Sequence, residues 1–364
     1  MRLRHRRNEC RLCQEACPEG AITLDPGPSV SDRCIRCGLC QMACPTEAFQ
    51  GEVHSDQHLL ARIRPLLGRE RRSAEGQPLV VRCREAQPGQ RDVFVVPCLG
   101  SVGASFLFGA VLLGANPLTL VRGDCQRCRL GQGERLFANA MTAYLALATA
   151  AGMGSSPVKL EQRQKADAAV PARRNFFVRV AGLRAPVACE WPAPGTGVRM
   201  RRKAELGMTP GRALLQELAR GASWSASPVL HYDPRLPWAS LRIDQRSCST
   251  CGICASSCPT GAVTCRIESG RLSHHFDAAS CINCGSCVQA CPQRIIGFNP
   301  GFDARDLVWG EPRPITDIRL HSCEVCGEML PEREGSLCIT CQRRGRASTS
   351  SSGNTDSGLP PTTS

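Results

Sequence analysis

Cys248-Ser249-Thr250-Cys251-Gly252-Ile253-Cys254-Ala255-Ser256-Ser257-Cys258-Pro259 is the stretch that decides the fold, and it recurs as Cys281-x2-Cys284-x2-Cys287-x3-Cys291-Pro292. Three cysteines at i, i+3 and i+6 can wrap a tight loop around one face of an iron–sulfur cube. The fourth, followed by proline, starts a turn that carries its thiolate away to another cube. Eight cysteines in this register rarely arise without a two-cluster site.

The segment from Leu241 to Phe298 resembles bacterial-type ferredoxins with two [4Fe–4S] clusters. The resemblance implies that the two halves exchange ligands. Cys248, Cys251, Cys254 and Cys291 would then hold one cluster, and Cys281, Cys284, Cys287 and Cys258 the other. Between the motifs, Ala262–Ile267 and Arg271–Phe276 read as strands about a turn at Glu268-Ser269-Gly270. Cys265 lies on the first strand, outside the ligand register, and is expected to be a small buried apolar residue.

The N-terminus repeats the theme with a defect. Cys34-x2-Cys37-x2-Cys40-x3-Cys44-Pro45 is complete. Ahead of it stands Cys10-x2-Cys13-x3-Cys17-Pro18, with Arg7 where a first cysteine would be. Ligand exchange predicts one full site from Cys34, Cys37, Cys40 and Cys17, and a second that keeps only Cys10, Cys13 and Cys44. Three readings stay open for the second site: a [3Fe–4S] cluster, a [4Fe–4S] cluster with a non-cysteine ligand such as His5, or no cluster. Ala21–Leu24 reads as a short strand before the turn Asp25-Pro26-Gly27-Pro28.

From Gln77 the pattern changes. Leu79–Cys83 and Val93–Cys98 are β-branched runs of strand length, and Leu118–Arg122 is a third. Ala104–Ala115 and Gly133–Met153 read as helices, the latter with Leu136, Ala140, Tyr144 and Leu147 on one stripe and Phe137, Met141 and Leu145 beside it. Such alternation predicts a small parallel sheet with crossover helices. Each strand ends in cysteine or leads into it: Cys83, Cys98, then Cys125 and Cys128. Ligand sites in open α/β sheets lie at the carboxyl ends of strands, so these thiols form a candidate site, with structural thiols or zinc as the alternative. Residues from Val80 to Ala151 resemble the iron–sulfur (delta) subunit of methyl-viologen-reducing hydrogenases. The likeness implies a [2Fe–2S] cluster and electron transfer between a hydrogenase and heterodisulfide reductase. The last two cysteines are more closely spaced here than in that family, which leaves the cluster type open. No strand is followed by a glycine-rich phosphate loop.

Residues 154–238 carry no chemistry in this reading, although Phe176–Val180 could be a strand, Gly211–Arg220 a helix, and Cys189 stands alone. Cys323-x2-Cys326 and Cys338-x2-Cys341 form the knuckle pattern of a zinc ribbon, for which zinc and rubredoxin-type iron compete. Residues 347–364 are Ser, Thr, Gly and Pro without an apolar run and are expected to be disordered.

Composition supports a metalloprotein. The chain has 25 cysteines in 364 residues and only 4% aromatics, so its small units depend on inorganic staples. The net charge of +13 suggests nucleic acid. Occupied sites oppose that reading, because a cubane or zinc with four thiolates adds roughly −2 and six such sites would nearly neutralise the chain. A basic docking surface for an acidic redox partner remains compatible with the charge. The basic Met1–Asn8 stretch leads into no apolar region, and Ala104–Ala115 is too short to span a bilayer. The expected protein is cytoplasmic, not inserted in a membrane, and not a nucleic-acid binder.

The predicted fold class is α+β multi-domain. It comprises a ferredoxin-like unit at 1–55, a parallel-sheet α/β unit at 77–153, a linker at 154–238, a two-cluster ferredoxin at 241–298, a four-cysteine knuckle at 320–345 and a tail at 347–364. The expected cofactors are three [4Fe–4S] clusters, a fourth or a [3Fe–4S] at the three-cysteine site, [2Fe–2S] in the α/β unit, and zinc or iron at the knuckle. The expected function is electron relay, as a subunit of a hydrogenase- or heterodisulfide-reductase-like oxidoreductase with redox proteins as partners. The alternative is a self-contained enzyme using an open iron at Cys10, Cys13 and Cys44.

Overall fold

A computed structural model describes residues 9–25, 27–51, 55–67, 76–89, 94–153, 157–163, 199–200, 207–333, 335–338 and 340–344. The expectations for His5, Arg7, Phe176–Val180, Cys189 and the tail at 347–364 lie outside the described residues.

The N-terminal unit begins with α1 (Leu12–Glu15) and a two-residue hairpin of β1 (Ile22–Thr23) and β2 (Ser29–Val30). α2 (Leu39–Ala43) and β3 (Phe49–Gln50) complete it. α3 (Asp56–Leu67) then turns Leu59, Leu60, Ile63 and Leu67 inward, an i, i+4, i+8 stripe with one extra leucine.

The α/β unit contains β4 (Gln77–Cys83), β5 (Phe94–Val96), α4 (Ala104–Leu112), β6 (Ala115–Arg122), α5 (Gly133–Ala150) and β7 (Val158–Gln162). All pairings in its four-stranded sheet are parallel, in the order β5-β4-β6-β7. The expected sheet is therefore present, with three differences. Gly114 takes a φ of +99° and breaks the chain between α4 and β6, so Ala115 opens a strand rather than closing a helix. Leu145 of α5 is 46% exposed, because the buried stripe runs through Phe137, Ala140, Tyr144 and Leu147. β7, within the expected linker, pairs with β6 as an edge strand.

The core of this unit is continuous, from Leu59 and Ile63 of α3 through Val81, Leu118 and Leu120 to Phe106, Phe108 and Tyr144. Phe94 and Phe106 stack at 6.4 Å, and the Arg62 guanidinium lies 5.1 Å from the Phe94 ring centre.

β8 (Arg199–Met200) returns to pair with β3. α6 (Pro210–Arg220) starts with Thr209 as its cap, whose hydroxyl accepts from Arg212 N–H at 3.3 Å, and Pro210 at its first turn. Residues 210–238 are thus structured: Leu215, Ala219, Leu230 and Trp238 join the α/β core. β9 (Val229–His231) pairs later with β14 (Gly301–Asp303).

The second ferredoxin-like unit holds β10 (Leu241–Ile243), α7 (Ile253–Ser257), β11 (Val263–Glu268), β12 (Arg271–Phe276), α8 (Ser286–Ala290) and β13 (Ile296–Phe298). The β11–β12 hairpin turns through Ser269 and Gly270, both at positive φ, the geometry that suits the twist of a two-residue hairpin. After β14 and α9 (Asp306–Trp309), β15 (Arg313–Pro314) and β16 (Ile318–Ser322) add to β12, and β17 (Met329–Pro331) adds to β16. The C-terminal knuckle therefore grows from the ferredoxin sheet. No described helix is long and apolar enough to cross a membrane.

Candidate metal centres

The three complete motifs share one backbone path. The residue before the second cysteine has positive φ (Arg36 +54°, Thr250 +56°, Asn283 +49°), and so does the glycine after it (Gly38 +80°, Gly252 +66°, Gly285 +68°). That glycine caps a short helix, α2, α7 or α8, which carries the third cysteine near its start. Left-handed residues on both sides of a cysteine curl the loop and turn backbone N–H groups toward an anion. The fourth cysteine opens a turn with proline second and a positive-φ residue fourth: Gly20, Glu47, Gly261 and Arg294. In the defective half, Arg11 stands where the other motifs have glycine, and its φ is −127°. That loop has lost both a thiol and the turn that presents thiols.

In the second ferredoxin unit the cysteines sort into two cavities. One, of about 310 Å³, is lined by Cys248, Cys251, Cys254 and Cys291. The other, of about 350 Å³, is lined by Cys258, Cys281, Cys284 and Cys287. The crossing of Cys258 and Cys291 brings together the sets expected from ligand exchange. In the N-terminal unit, burial and then the neighbouring Cys37, Cys34 and Cys17 push the Cys40 thiol up to about 12. Burial followed by Cys44 and Cys10 raises Cys13 to about 11. The same crossed grouping thus occurs in both units, with three thiols at the defective site.

Grouped thiols of this kind suit a metal. Burial makes Cys13, Cys40 and Cys281 hold their protons more tightly than a free cysteine, and iron would displace such protons while spreading the charge over the cluster. Backbone N–H groups already point at sulfur: Ala21 at Cys17 (3.2 Å), Ala48 at Cys44 (3.4 Å) and Thr250 at Cys248 (3.4 Å).

The α/β unit gathers Cys83, Cys98, Cys125 and Cys128 around a cavity of about 430 Å³ at the carboxyl ends of β4, β5 and β6. β5 and β6 flank β4 on opposite sides, so the cavity sits where the strand order reverses. Three sulfurs each accept a backbone N–H: Cys83 from Gly123 (3.4 Å), Cys98 from Gly100 (3.3 Å) and Cys128 from Leu130 (3.3 Å). Arg82, 7% exposed, donates to the carbonyls of Cys83, Arg84 and Ala86 and so holds the loop after β4. Burial pushes Cys98 up to about 12. Only glycine fits at 133, since a Cβ there would lie 2.4 Å from Cys98 Sγ.

Cys323, Cys326, Cys338 and Cys341 differ in kind, as their sulfurs all lie within 4.8 Å of one another. Tetrahedral bonds of about 2.3 Å to one metal place thiolates roughly 3.8 Å apart, and Cys326 and Cys338 are 3.6 Å apart. A cubane spreads its thiolates over four irons and needs a wider setting. Backbone N–H donation from Cys338 holds the Cys323 thiol down at about 6. Arg333 of this knuckle donates to the carbonyls of Gln245 and Cys248, tying it to the ferredoxin loop.

Two participants were not legible from spacing. Cys265 is not simply apolar filler: its thiol, that of Cys254 and a ring nitrogen of His274 form a second close group. His274 is 1% exposed and hydrogen-bonds both Cys254 and, through Nδ1 at 2.7 Å, Thr316 Oγ1. Its hairpin register opposite Cys265 is the one sequence signal that could have drawn attention to it. Arg212, 4% exposed, donates to the carbonyls of Ala278 and Ala279 at 2.7 Å each, near Cys281. Nothing local marks this arginine.

The family described as 4Fe-4S dicluster domain matches this chain twice, at residues 6–48 and 247–295. No curated protein matches it. The matched segments are ferredoxin-like units, and the chain is an iron–sulfur electron-transfer protein with 4Fe–4S clusters.

Proposed function

We propose that this protein is the electron-relaying subunit of an oxidoreductase complex of the hydrogenase and heterodisulfide reductase kind. In this reading Cys17/Cys34/Cys37/Cys40, Cys248/Cys251/Cys254/Cys291 and Cys258/Cys281/Cys284/Cys287 hold three [4Fe–4S] clusters. Cys10, Cys13 and Cys44 hold a [3Fe–4S] or a fourth [4Fe–4S], and Cys83, Cys98, Cys125 and Cys128 hold a [2Fe–2S]. A single tetrahedral metal, zinc or iron, sits on Cys323, Cys326, Cys338 and Cys341, whose close grouping favours one ion over a cubane. The partners are redox proteins of the cytoplasm, where thiols stay reduced.

One observation carries the reading: four cysteines from three separate stretches of the chain line one cavity at the strand ends of the α/β unit. Clusters there would supply one-electron storage. The chain's own groups set its energetics, because backbone N–H donors favour the reduced, more negative state and the apolar shell keeps water from the sulfurs.

The test is iron, acid-labile sulfide and zinc content of anaerobically purified protein, with EPR of oxidised and reduced samples. Three cubanes give about twelve irons, a [2Fe–2S] two more, and the three-thiol site about three or four. Loss of one iron–sulfur signal and about two irons in Cys125→Ser would support the middle assignment. A colourless preparation with zinc and no sulfide would overturn the whole proposal.

A further inference from the structure

We infer that the four-thiol site of the α/β unit exchanges electrons directly with the N-terminal site of Cys17, Cys34, Cys37 and Cys40, in preference to either site of the second ferredoxin unit. The inference rests on the cluster assignment proposed above.

Two separate contacts join these sites. The first is an apolar bridge. Cys37 (8% exposed) and Cys98 pack into one cluster with Leu39 (0% exposed), which also takes in Ala16, Leu130 and Leu136. Gly133 closes the gap from the other side: a Cβ on it would meet Cys98 Sγ at 2.4 Å and Leu39 Cδ2 at 3.1 Å. A Cβ on Gly100 would lie 2.3 Å from the Gly133 carbonyl oxygen, so α5 starts pressed against the turn after Cys98. Leu39 is the neighbour of Cys40, and one buried side chain therefore touches the surroundings of both sites. The second contact is an ion pair. Arg129, next to Cys128, meets Glu19, two residues after Cys17, at 2.6 Å.

The second ferredoxin unit meets the α/β unit differently. Helix α6 intervenes, with Leu215 and Ala219 in the α/β core and Arg212 and Gln216 donating to the carbonyl of Ala279. Electron exchange falls steeply with distance and is fastest through close-packed, dry matter. The Leu39 bridge is such a path and ends on Cys98 of the four-thiol site itself. Leu236 and Phe302, which join the second ferredoxin unit to the α/β core, are not among the residues lining that site. The step itself is simple. One electron leaves the reduced N-terminal cluster, which returns to its oxidised level, and lowers the middle site by one oxidation state; no bond forms and no proton moves.

The test uses the full-length holoprotein. Two neighbouring paramagnetic clusters relax each other's spins, so the EPR signal of the middle site reports which cluster stands beside it. Unmutated protein is poised at successive potentials, alongside Cys34→Ser and Cys251→Ser variants. Microwave power for half-saturation of the middle signal should rise several-fold as the N-terminal cluster becomes paramagnetic. It should stay low in Cys34→Ser and behave as in the parent in Cys251→Ser. A rise that is retained in Cys34→Ser but lost in Cys251→Ser overturns the inference, as does a middle signal indifferent to potential. If the middle signal is missing throughout, with about two fewer irons, the cluster assignment itself has failed and the inference goes with it.

Discussion

Cys265 and His274 face each other across the β11–β12 ladder, and both reach the thiol of Cys254. The Thr316 hydroxyl accepts from the His274 backbone N–H at 3.0 Å and lies 2.7 Å from Nδ1. A hydroxyl proton given to Nδ1 leaves Nε2–H to donate to sulfur, which favours the electron-rich cluster. His274→Phe should therefore lower the potential of the cluster at Cys248, Cys251, Cys254 and Cys291. One hydrogen bond of about 1 kcal/mol corresponds to roughly 40 mV, at about 59 mV per tenfold for one electron. An EPR-monitored redox titration in which this potential stays put would refute the role.

Arg212 bears on the other site of that unit. It makes no ion pair among the described residues, and the Cys281 and Asp277 side chains lie close enough to influence its charge. Arg212→Met should destabilise the holoprotein by about 2–4 kcal/mol, since carbonyls at 278 and 279 lose a charged donor. It should also lower the potential at Cys258, Cys281, Cys284 and Cys287. Arg212→Lys should keep most of the potential while losing stability. Equal potentials in all three proteins would show that the arginine only binds α6 to the ferredoxin unit.

Asp56 makes stability depend on pH. Its carboxylate accepts from Gly103 N–H (2.8 Å) and Phe106 N–H (3.1 Å) at the start of α4, yet desolvation raises its pKa from 3.8 to about 6. The folded state thus holds the proton more tightly than the unfolded chain. The contribution is complete below about pH 4 and is lost as pH climbs through 6, on the order of 2 kcal/mol after allowing for partial exposure of the residue. Asp56→Ala should flatten that part of the profile in anaerobic melts between pH 4 and 7. An unchanged slope would rule this group out as the source.

The C-terminal knuckle should be separable from the electron path. Cys338 is 1% exposed, and few apolar residues besides the four cysteines build that core. Cys338→Ser should release the bound metal and expose the segment after β16 to protease, because the metal supplies most of its folding energy. The EPR spectrum of the remaining centres should not change. Loss of an iron signal on this substitution would mean that iron, not zinc, occupies the site.

Much of the candidate site could be read from spacing because cysteine ligation is local. Residues at i, i+3 and i+6 share a loop whatever the rest of the chain does, and Cys-Pro followed by a left-handed residue ends it. The strands that end in Cys83 and lead into Cys98 are equally plain in their β-branched runs. The helix expected at Ala104–Ala115 ended early because a positive-φ glycine at 114 outweighs three apolar neighbours. The edge strand β7 escapes a sequence reading because it is only five residues long and four of them are exposed, so the alternation of Val158-Lys159-Leu160-Glu161 marks no buried face.

By itself the sequence determined which thiols share a loop, since short-range backbone geometry allows a C-x2-C-x2-C segment little else, while the exchange of Cys258 and Cys291 entered only through the ferredoxin resemblance. Only the tertiary structure decided what stands around those thiols. His274 meets Cys254, Arg212 approaches Cys281, and Leu39 lies between the surroundings of Cys37 and Cys98. Each pairing depends on how apolar faces are buried together, and burial selects neighbours in space that no local pattern encodes.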